Sequence, residues 1–182
     1  MATNMDDRQG DAAVRQTRAA PDAHLADVER ALLEAALAHY GPRLVALAVF
    51  GSAGRGTIRH DSDIDILVVA EGLPPGRVAR SEDFVAVDRI AEPSLARARA
   101  SGRTWYFSPV YKTPVEAQAG SPLFLDMTED ARILYDPTGF LDAVFERLRQ
   151  RLKALGSRRI WRDSAWFWDL KPDYVPGEVF EL

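Results

Sequence analysis

The stretch AVFGSAGRGTIRHDSDIDILVV, residues 48–69, joins two apolar segments through a short polar connection that is rich in glycine. The apolar runs at 44–50 and 64–70 predict two strands that are buried on both faces. Between them, residues 51–56 predict a turn that leads into a short helical piece. Asp63 and Asp65 stand at the start of the second strand, so two carboxylates lie at the mouth of an otherwise apolar element.

The two carboxylates are predicted to share one face of the strand. Residues two apart on a strand project to the same side, which leaves Ile64, Ile66 and Val68 for the opposite face. Carboxylates about 7 Å apart repel each other where water is scarce. A divalent cation removes that repulsion, and hard oxygen ligands select magnesium or manganese. Asp63 and Asp65 are therefore predicted to bind a metal.

The turn before the second strand is a candidate phosphate site. Gly51 allows a close approach of the backbone, Ser52 offers a hydroxyl, and exposed amides at the start of a helix bind anions. A Gly-Ser turn and a solvated Asp-x-Asp strand end are each common without any function. Their combination at this spacing between two buried strands favours a site for a nucleoside triphosphate and its metal.

The composition narrows the class of protein. The chain has 182 residues, 47% hydrophobic and 27% charged, as is typical of a soluble domain of ordinary size. A net charge of −4 argues against a nucleic-acid partner. The absence of cysteine excludes disulfides and thiolate metal sites, and the longest apolar run is too short to span a bilayer. Without a secretory signal at its start, the sequence predicts a cytoplasmic protein with no membrane contact.

The order of the predicted elements indicates an α/β or α+β sheet domain. We expect a disordered leader at 1–20, a folded domain at 21–155 that contains the carboxylate pair, and a Trp/Pro-rich extension at 156–182 that packs on the core or on a partner. The tryptophans of that extension could also stack a base. The remaining elements predicted for the domain are a helix at 21–41, a helix at 77–100 with a break or bend near Pro93, a strand at 104–110, short helices at 113–119 and 123–127, a strand at 132–135 and a helix at 139–155.

The opening stretch resembles the nucleotidyltransferase signature of the DNA polymerase β superfamily. Gly51-Ser52 is followed after ten residues by Asp63-Ile64-Asp65, and the small bacterial members often carry an Arg-Gly pair inside the motif, here Arg55-Gly56. The likeness is close over 47–69 and weaker at ARILYD, residues 131–136. It implies a polymerase-β-like fold with a mixed β-sheet flanked by helices.

The resemblance also implies a reaction. A nucleoside monophosphate would pass from an NTP, with ATP favoured, to a hydroxyl of a protein or small molecule, and two metal ions would assist. Asp63 and Asp65 match the family's catalytic metal-binding pair, and Gly51 and Ser52 match its phosphate-contacting pair. Two basic residues, Arg55 and Lys112, are further candidates for contact with the triphosphate.

One family feature is missing from the sequence. The resemblance implies a third carboxylate on a later strand, but residues 104–112 contain no Asp or Glu, and Ser108 stands near the expected place. Glu116 is the nearest downstream acid, while Asp88 and Glu92 are candidates only under a different strand order. The alternative interpretation is a catalytically weak or inactive module that binds a nucleotide or a partner.

The resemblance implies several possible classes of partner or acceptor for this chain. Small members of the family pair with a helical partner as toxin–antitoxin modules, and some adenylylate that partner, whereas others modify antibiotics. The antitoxin of such a pair is therefore one expected role. The sequence leaves the acceptor and the formation of a homo-oligomer open.

Overall fold

The computed structural model describes residues 22–162 and 165–182, and the leader predicted at 1–20 lies outside this part of the chain. The described helices are α1 (Ala23–Tyr40), α2 (Gly51–Arg55), α3 (Arg77–Ala100), α4 (Pro114–Gln118), α5 (Leu123–Asp130) and α6 (Phe140–Ala154). The described strands are β1 (Leu44–Val49), β2 (Ile64–Ala70), β3 (Phe107–Lys112), β4 (Arg132–Tyr135), β5 (Arg158–Arg162) and β6 (Ala165–Asp169). None of the helices in these two ranges is long and apolar enough to cross a membrane.

Four strands form one mixed sheet in the order β3-β2-β1-β4. Strand β1 runs antiparallel to both β2 and β4, whereas β2 and β3 are parallel. In the β2–β3 register, Asp65 lies opposite Ser108. The start of β2 and the end of β1 therefore meet at one end of the sheet, where the chain turns through α2.

The two faces of the sheet carry separate apolar cores. Ile64, Ile66 and Val68 pack in the core that includes α1 and α3, while Leu67 and Val69 pack in the core that includes α5 and α6. These side chains are fully buried, and burial of one such aliphatic side chain stabilises the fold by about 1.5–3 kcal/mol. The predicted mixed sheet flanked by helices is confirmed.

Of the break or bend predicted near Pro93, the break is wrong, because helix α3 is continuous through this residue. Pro93 is exposed, and its ring does not enter the core. Phe84, Val87 and Leu95 lie before and after it and are buried in the same core. Packing on both sides of the proline holds the helix together despite the lost backbone donor.

The third strand begins later than predicted, at Phe107 instead of 104. The backbone N–H of Thr104 donates to the carbonyl of His60 at 2.7 Å, and Nε1 of Trp105 donates to the carbonyl of Arg59 at 2.6 Å. These bonds tie the segment before β3 to the loop between α2 and β2. The loop that carries Asp63 is thereby held in place by the segment that precedes β3.

The C-terminal extension contains a hairpin, β5–β6, that the sequence did not predict. Trp161 pairs with Trp166, and Arg159 pairs with Trp168. A lone two-stranded hairpin is at best marginally stable, so it needs packing against the domain. Nε1 of Trp166 and Nε1 of Trp168 both donate to Oδ1 of Asp126 on α5, at 2.7 and 2.9 Å.

Candidate active site

The two predicted metal ligands stand at the start of β2. Asp63 directly precedes the strand and Asp65 is its second residue, so alternation places both on the same face. Both side chains are half-buried, while Ile64 between them is fully buried. The arrangement combines an apolar anchor with two carboxylates that remain accessible.

Gly51 lies directly against the carboxylate of Asp65. A Cβ added to Gly51 would stand 2.2 Å from Oδ2 of Asp65, and the residue has a φ of +61°. The backbone N–H of Phe50 also donates to the carbonyl oxygen of Asp65 at 3.0 Å. Only glycine satisfies both the close contact and the positive φ, so the turn at Gly51 and the carboxylate pair lie side by side.

The negative charge on the carboxylate of Asp65 is unfavourable in its surroundings. Burial raises the pKa of Asp65, the neighbouring Asp63 carboxylate raises it further, and Arg55 opposes both by lowering it. A raised pKa means that the negative form is disfavoured where it stands. A cation bound between the two carboxylates would relieve this cost.

Helix α2 is held close to the sheet and to α5. A Cβ on Gly54 would lie 2.2 Å from the carbonyl oxygen of Asp130 and 3.1 Å from that of Val49. The half-buried Ser52 sits in the first turn of this helix, and its carbonyl accepts from the backbone N–H of Thr57 at 2.9 Å. The turn is therefore rigidly placed beside β2.

Arg55 is close enough to Asp65 to affect its pKa, and it has other partners. Its Nη1 donates to Oδ2 of Asp130 at 3.0 Å, and its guanidinium lies 4.7 Å from the ring centroid of Trp166. Since Arg55 follows Gly51 by four residues, both lie on one side of α2. Arg55 therefore joins the predicted site to the C-terminal hairpin.

No third carboxylate accompanies the pair in the described residues. Ser108 stands opposite Asp65 in the parallel register, at the position where the resemblance implies an acid. Across residues 22–162 and 165–182, no group of three or more His, Asp or Glu side chains is arranged to hold a metal. The structure therefore offers two carboxylates to a cation.

Glu116 has a structural role that differs from metal binding. Its carboxylate pairs with Arg80 through bonds of 2.7 and 2.9 Å and completes a capping box with Thr113 at the start of α4. The bond from Arg80 and the backbone bond from Thr113 lower the pKa of Glu116 to about 2. Asp88 and Glu92 lie on α3, and neither joins a metal-holding group with Asp63 and Asp65.

Lys112 is not brought to the carboxylate pair. It lies opposite Val69, four residues along β3 from Ser108, which corresponds to about 13 Å of strand. The expectation that it contacts the triphosphate has no support in this geometry. Lys112 is therefore not part of the proposed site.

Two residues beside the site escaped the sequence analysis. Tyr106 immediately precedes β3, its carbonyl accepts from the N–H of Ile64 at 2.9 Å, and its side chain is exposed. Arg159 of the hairpin pairs with Asp130, the same carboxylate that holds Arg55. No local signal marks either residue, because only the strand register and the hairpin packing bring them here.

A cavity of about 500 Å³ lies elsewhere on the domain. Residues around α4, α5 and α6 line it, among them Phe124, Val144, Leu148, Arg151 and Leu182. None of the predicted site residues contributes to its wall. The candidate active site is instead the open end of the sheet around Asp63 and Asp65.

Comparison with known proteins gives matches over this region. The family described as "Nucleotidyltransferase domain" matches residues 30–133. A protein of Methanocaldococcus jannaschii named "Putative protein adenylyltransferase MJ1305" is 29% identical over 129 residues, which cover 70% of this chain and 82% of that protein.

Two solved structures resemble the chain weakly. A chain from a toxin–antitoxin crystal structure with AMP-PNP is 18% identical and has a TM-score of 0.40, with 70% of this chain and 92% of that chain covered. A chain from a mutant of the MntA-HpeT toxin–antitoxin is 19% identical and has a TM-score of 0.42, with 69% and 90% covered. At these values the likeness carries no argument about function.

The family match spans more than half of the 182 residues and includes the turn at Gly51 and the carboxylates at Asp63 and Asp65. The family match and the geometry of the site thus fall on the same segment of the chain. The chain belongs to the nucleotidyltransferase domain family and is a nucleotidyltransferase of the EC 2.7.7 type.

Proposed function

We propose that the chain transfers an adenylyl group from ATP to a protein hydroxyl, in a reaction that needs magnesium or manganese at Asp63 and Asp65. Gly51 and Ser52 bind the triphosphate, and Arg55 neutralises part of its charge. Pyrophosphate leaves when the acceptor oxygen attacks the α-phosphorus.

The contact between Gly51 and Asp65 carries this proposal. A triphosphate cannot approach two carboxylates without a cation, and a cation on two carboxylates keeps open positions for phosphate oxygens. The 2.2 Å that would separate a Gly51 Cβ from Oδ2 of Asp65 means that a bound phosphate and a bound metal would be neighbours. Each ligand makes the other's binding favourable.

The donor set fits magnesium or manganese. Two carboxylates from one strand face are hard oxygen ligands, and magnesium usually takes one or two of these together with phosphate oxygens and water. Burial and repulsion from Asp63 raise the pKa of Asp65. This is expected for a metal-binding carboxylate when no cation is bound to offset its charge. The metal, when bound, would neutralise developing charge on the phosphates and activate the acceptor oxygen.

The acceptor class rests on the curated relative. The M. jannaschii protein is named as a protein adenylyltransferase, and the match covers most of its length. Tyr106, which directly precedes β3 beside the site, is exposed and accessible to another protein. A helical partner in a toxin–antitoxin pair stays a prediction of the sequence resemblance.

Transfer can be tested with ATP labelled on its α-phosphate. The full chain is incubated with lysate protein and labelled ATP in magnesium, in manganese, or in a chelator. We expect label on protein only when metal is present and none with the Asp63→Asn variant. ATP labelled on the γ-phosphate is the control. Label from the γ-phosphate alone would mean phosphoryl transfer and would contradict the proposal.

A further inference from the structure

The C-terminal hairpin reaches the site through one buried carboxylate. Asp130 ends α5, and its side chain is 9% exposed. It accepts from both terminal nitrogens of Arg159, at 3.0 and 2.7 Å, and from Nη1 of Arg55 at 3.0 Å. Two guanidinium groups from different parts of the chain thus share one anion.

Trp166 lies against both guanidinium groups. Its ring centroid is 4.2 Å from the Cζ of Arg159 and 4.7 Å from that of Arg55. Its Nε1 is held by Asp126, so the ring orientation is set by α5. A cation over an indole face within about 6 Å is attracted by the ring. The hairpin therefore supplies one of the contacts that orient Arg55, the ring of Trp166, and Asp130 of α5 supplies the other.

Arg159 also limits how strongly Asp130 holds Arg55. Arg159 occupies both oxygens of Asp130 with a two-point pair, and Arg55 makes one bond to the same carboxylate. Arginine has five N–H donors, so Arg55 keeps donors for another anion. Its side chain is 25% exposed, compared with 13% for Arg159. Arg55 is the accessible member of the cluster and Arg159 the buried one.

We propose that the hairpin is part of the active site, with Arg159 and Trp166 acting as positioning residues that hold Arg55 beside Asp65 and available to the triphosphate. This inference rests on the proposed function. The hairpin lies beyond residues 30–133, the span of the family match.

The test is calorimetric titration of full-length variants with ATP and magnesium. We expect Arg55→Gln to weaken ATP binding about tenfold to hundredfold, as for loss of a charged hydrogen bond. Trp166→Leu and Arg159→Met should weaken it by about threefold to thirtyfold. Arg159→Lys, which keeps the positive charge at Asp130, should recover part of the loss. Adenosine, which has no phosphate, should bind all these variants as it binds the wild type.

Phe167→Leu is the matched control. Phe167 is an aromatic residue on the same strand as Trp166, but alternation turns it to the opposite face, where Arg162 stacks on it. This variant should bind ATP like the wild type, and its melting temperature reports the cost of altering the hairpin alone. An equal loss of ATP affinity in Phe167→Leu and Trp166→Leu would overturn the inference.

A double variant separates positioning from general support. In the Arg55→Gln background, Trp166→Leu should have little further effect on ATP affinity, because both changes remove the same interaction. Losses that add would show that the hairpin acts without Arg55 and would overturn the inference. If Arg55→Gln binds ATP normally while Asp65→Asn does not, the inference and the role proposed for Arg55 fail, whereas metal-dependent transfer at Asp63 and Asp65 stands. If the wild type binds no ATP with magnesium, both fail.

Discussion

The backbone of Gly51 lies against the carboxylate of Asp65, with 2.2 Å between a Cβ placed on Gly51 and Oδ2 of Asp65. The turn after β1 and the start of β2 cannot be separated without breaking this contact. The contact requires glycine at position 51, because a methyl group there would displace the carboxylate of Asp65, which we propose binds the metal.

Substitution of Gly51 by alanine should therefore abolish ATP binding. The positive φ alone costs about 1–2 kcal/mol for a non-glycine residue, and the contact with Asp65 adds to that cost. Gly56→Ala is the matched control, since Gly56 has a φ of +75° but no atom within 4 Å of an added Cβ. Thermal melting and ATP titration of both variants check this. Equal ATP affinity in the two variants would contradict the role given to the Gly51–Asp65 contact.

Replacement of either carboxylate should abolish transfer without destabilising the metal-free protein. Asp63→Asn and Asp65→Asn each remove a ligand, and the double variant should be little worse than either single one, as for residues that act as a unit. Transfer of labelled AMP and melting temperature without metal are the measurements. Activity that survives in either single variant would contradict a shared metal.

The pH dependence of stability should change in Asp65→Asn. Because the folded pKa of Asp65 is raised, the folded state holds this proton more tightly than the unfolded chain does. The stabilising contribution is present below the ordinary pKa of aspartate and is lost as the pH rises through the raised value. The difference in melting temperature between variant and metal-free wild type should therefore grow in the variant's favour from about pH 4 to about pH 7. If the difference in melting temperature stayed constant over this pH range, the folded state would not raise the pKa of Asp65.

Loss of the Ser52 hydroxyl should weaken ATP binding and leave the fold intact. One hydrogen bond to a charged group contributes roughly 1.5–3 kcal/mol, and Ser52 stands in the turn that is proposed to meet the phosphates. Titration of Ser52→Ala with ATP and magnesium measures this loss of affinity. Ser101→Ala, an exposed serine at the end of α3, is the control. An unchanged dissociation constant for Ser52→Ala would show that the triphosphate does not bind at the hydroxyl of Ser52.

Glu116→Gln should destabilise the protein while preserving transfer. The lowered pKa means that Glu116 stabilises the fold above the ordinary glutamate range, and this is lost as the pH falls through about 2. Removal of the capping carboxylate should cost about 0.5–2 kcal/mol. Glu92→Gln, which breaks only the exposed pair with Arg99, should change stability by less than about 1 kcal/mol. If Glu116→Gln lost transfer while ATP binding stayed intact, Glu116 would be the third carboxylate that the family resemblance implies.

The central part of the fold is readable from the sequence because its signals are local. The apolar run of β2 is bounded by Asp63 and Glu71, and β4 is bounded by Asp136-Pro137, so both strands were predicted with the observed limits. The spacing of Asp63 and Asp65 on one strand face depends only on strand geometry. These features need no knowledge of which elements pack together.

The parts that escaped prediction depend on contacts between distant residues. Helix α3 passes through Pro93 because the core on both sides holds it, and β3 begins late because Trp105 is bound to the loop at Arg59. The hairpin β5–β6 forms where Asp126 and Asp130 of α5 receive its tryptophans and Arg159. A sequence shows that aromatic and basic residues are present, but it does not show which acidic side chains will accept hydrogen bonds from them.

The most direct test of the central claim is the affinity for ATP measured by calorimetry with magnesium and with a chelator, for the wild type and for Asp65→Asn. A metal shared by Asp63 and Asp65 predicts binding by the wild type that is strong with magnesium and weak without it. It predicts weak binding by the variant with magnesium, because an amide is a poor magnesium ligand. Equal affinity of the wild type with magnesium and with the chelator would contradict the claim that the carboxylate pair binds the nucleotide through a metal.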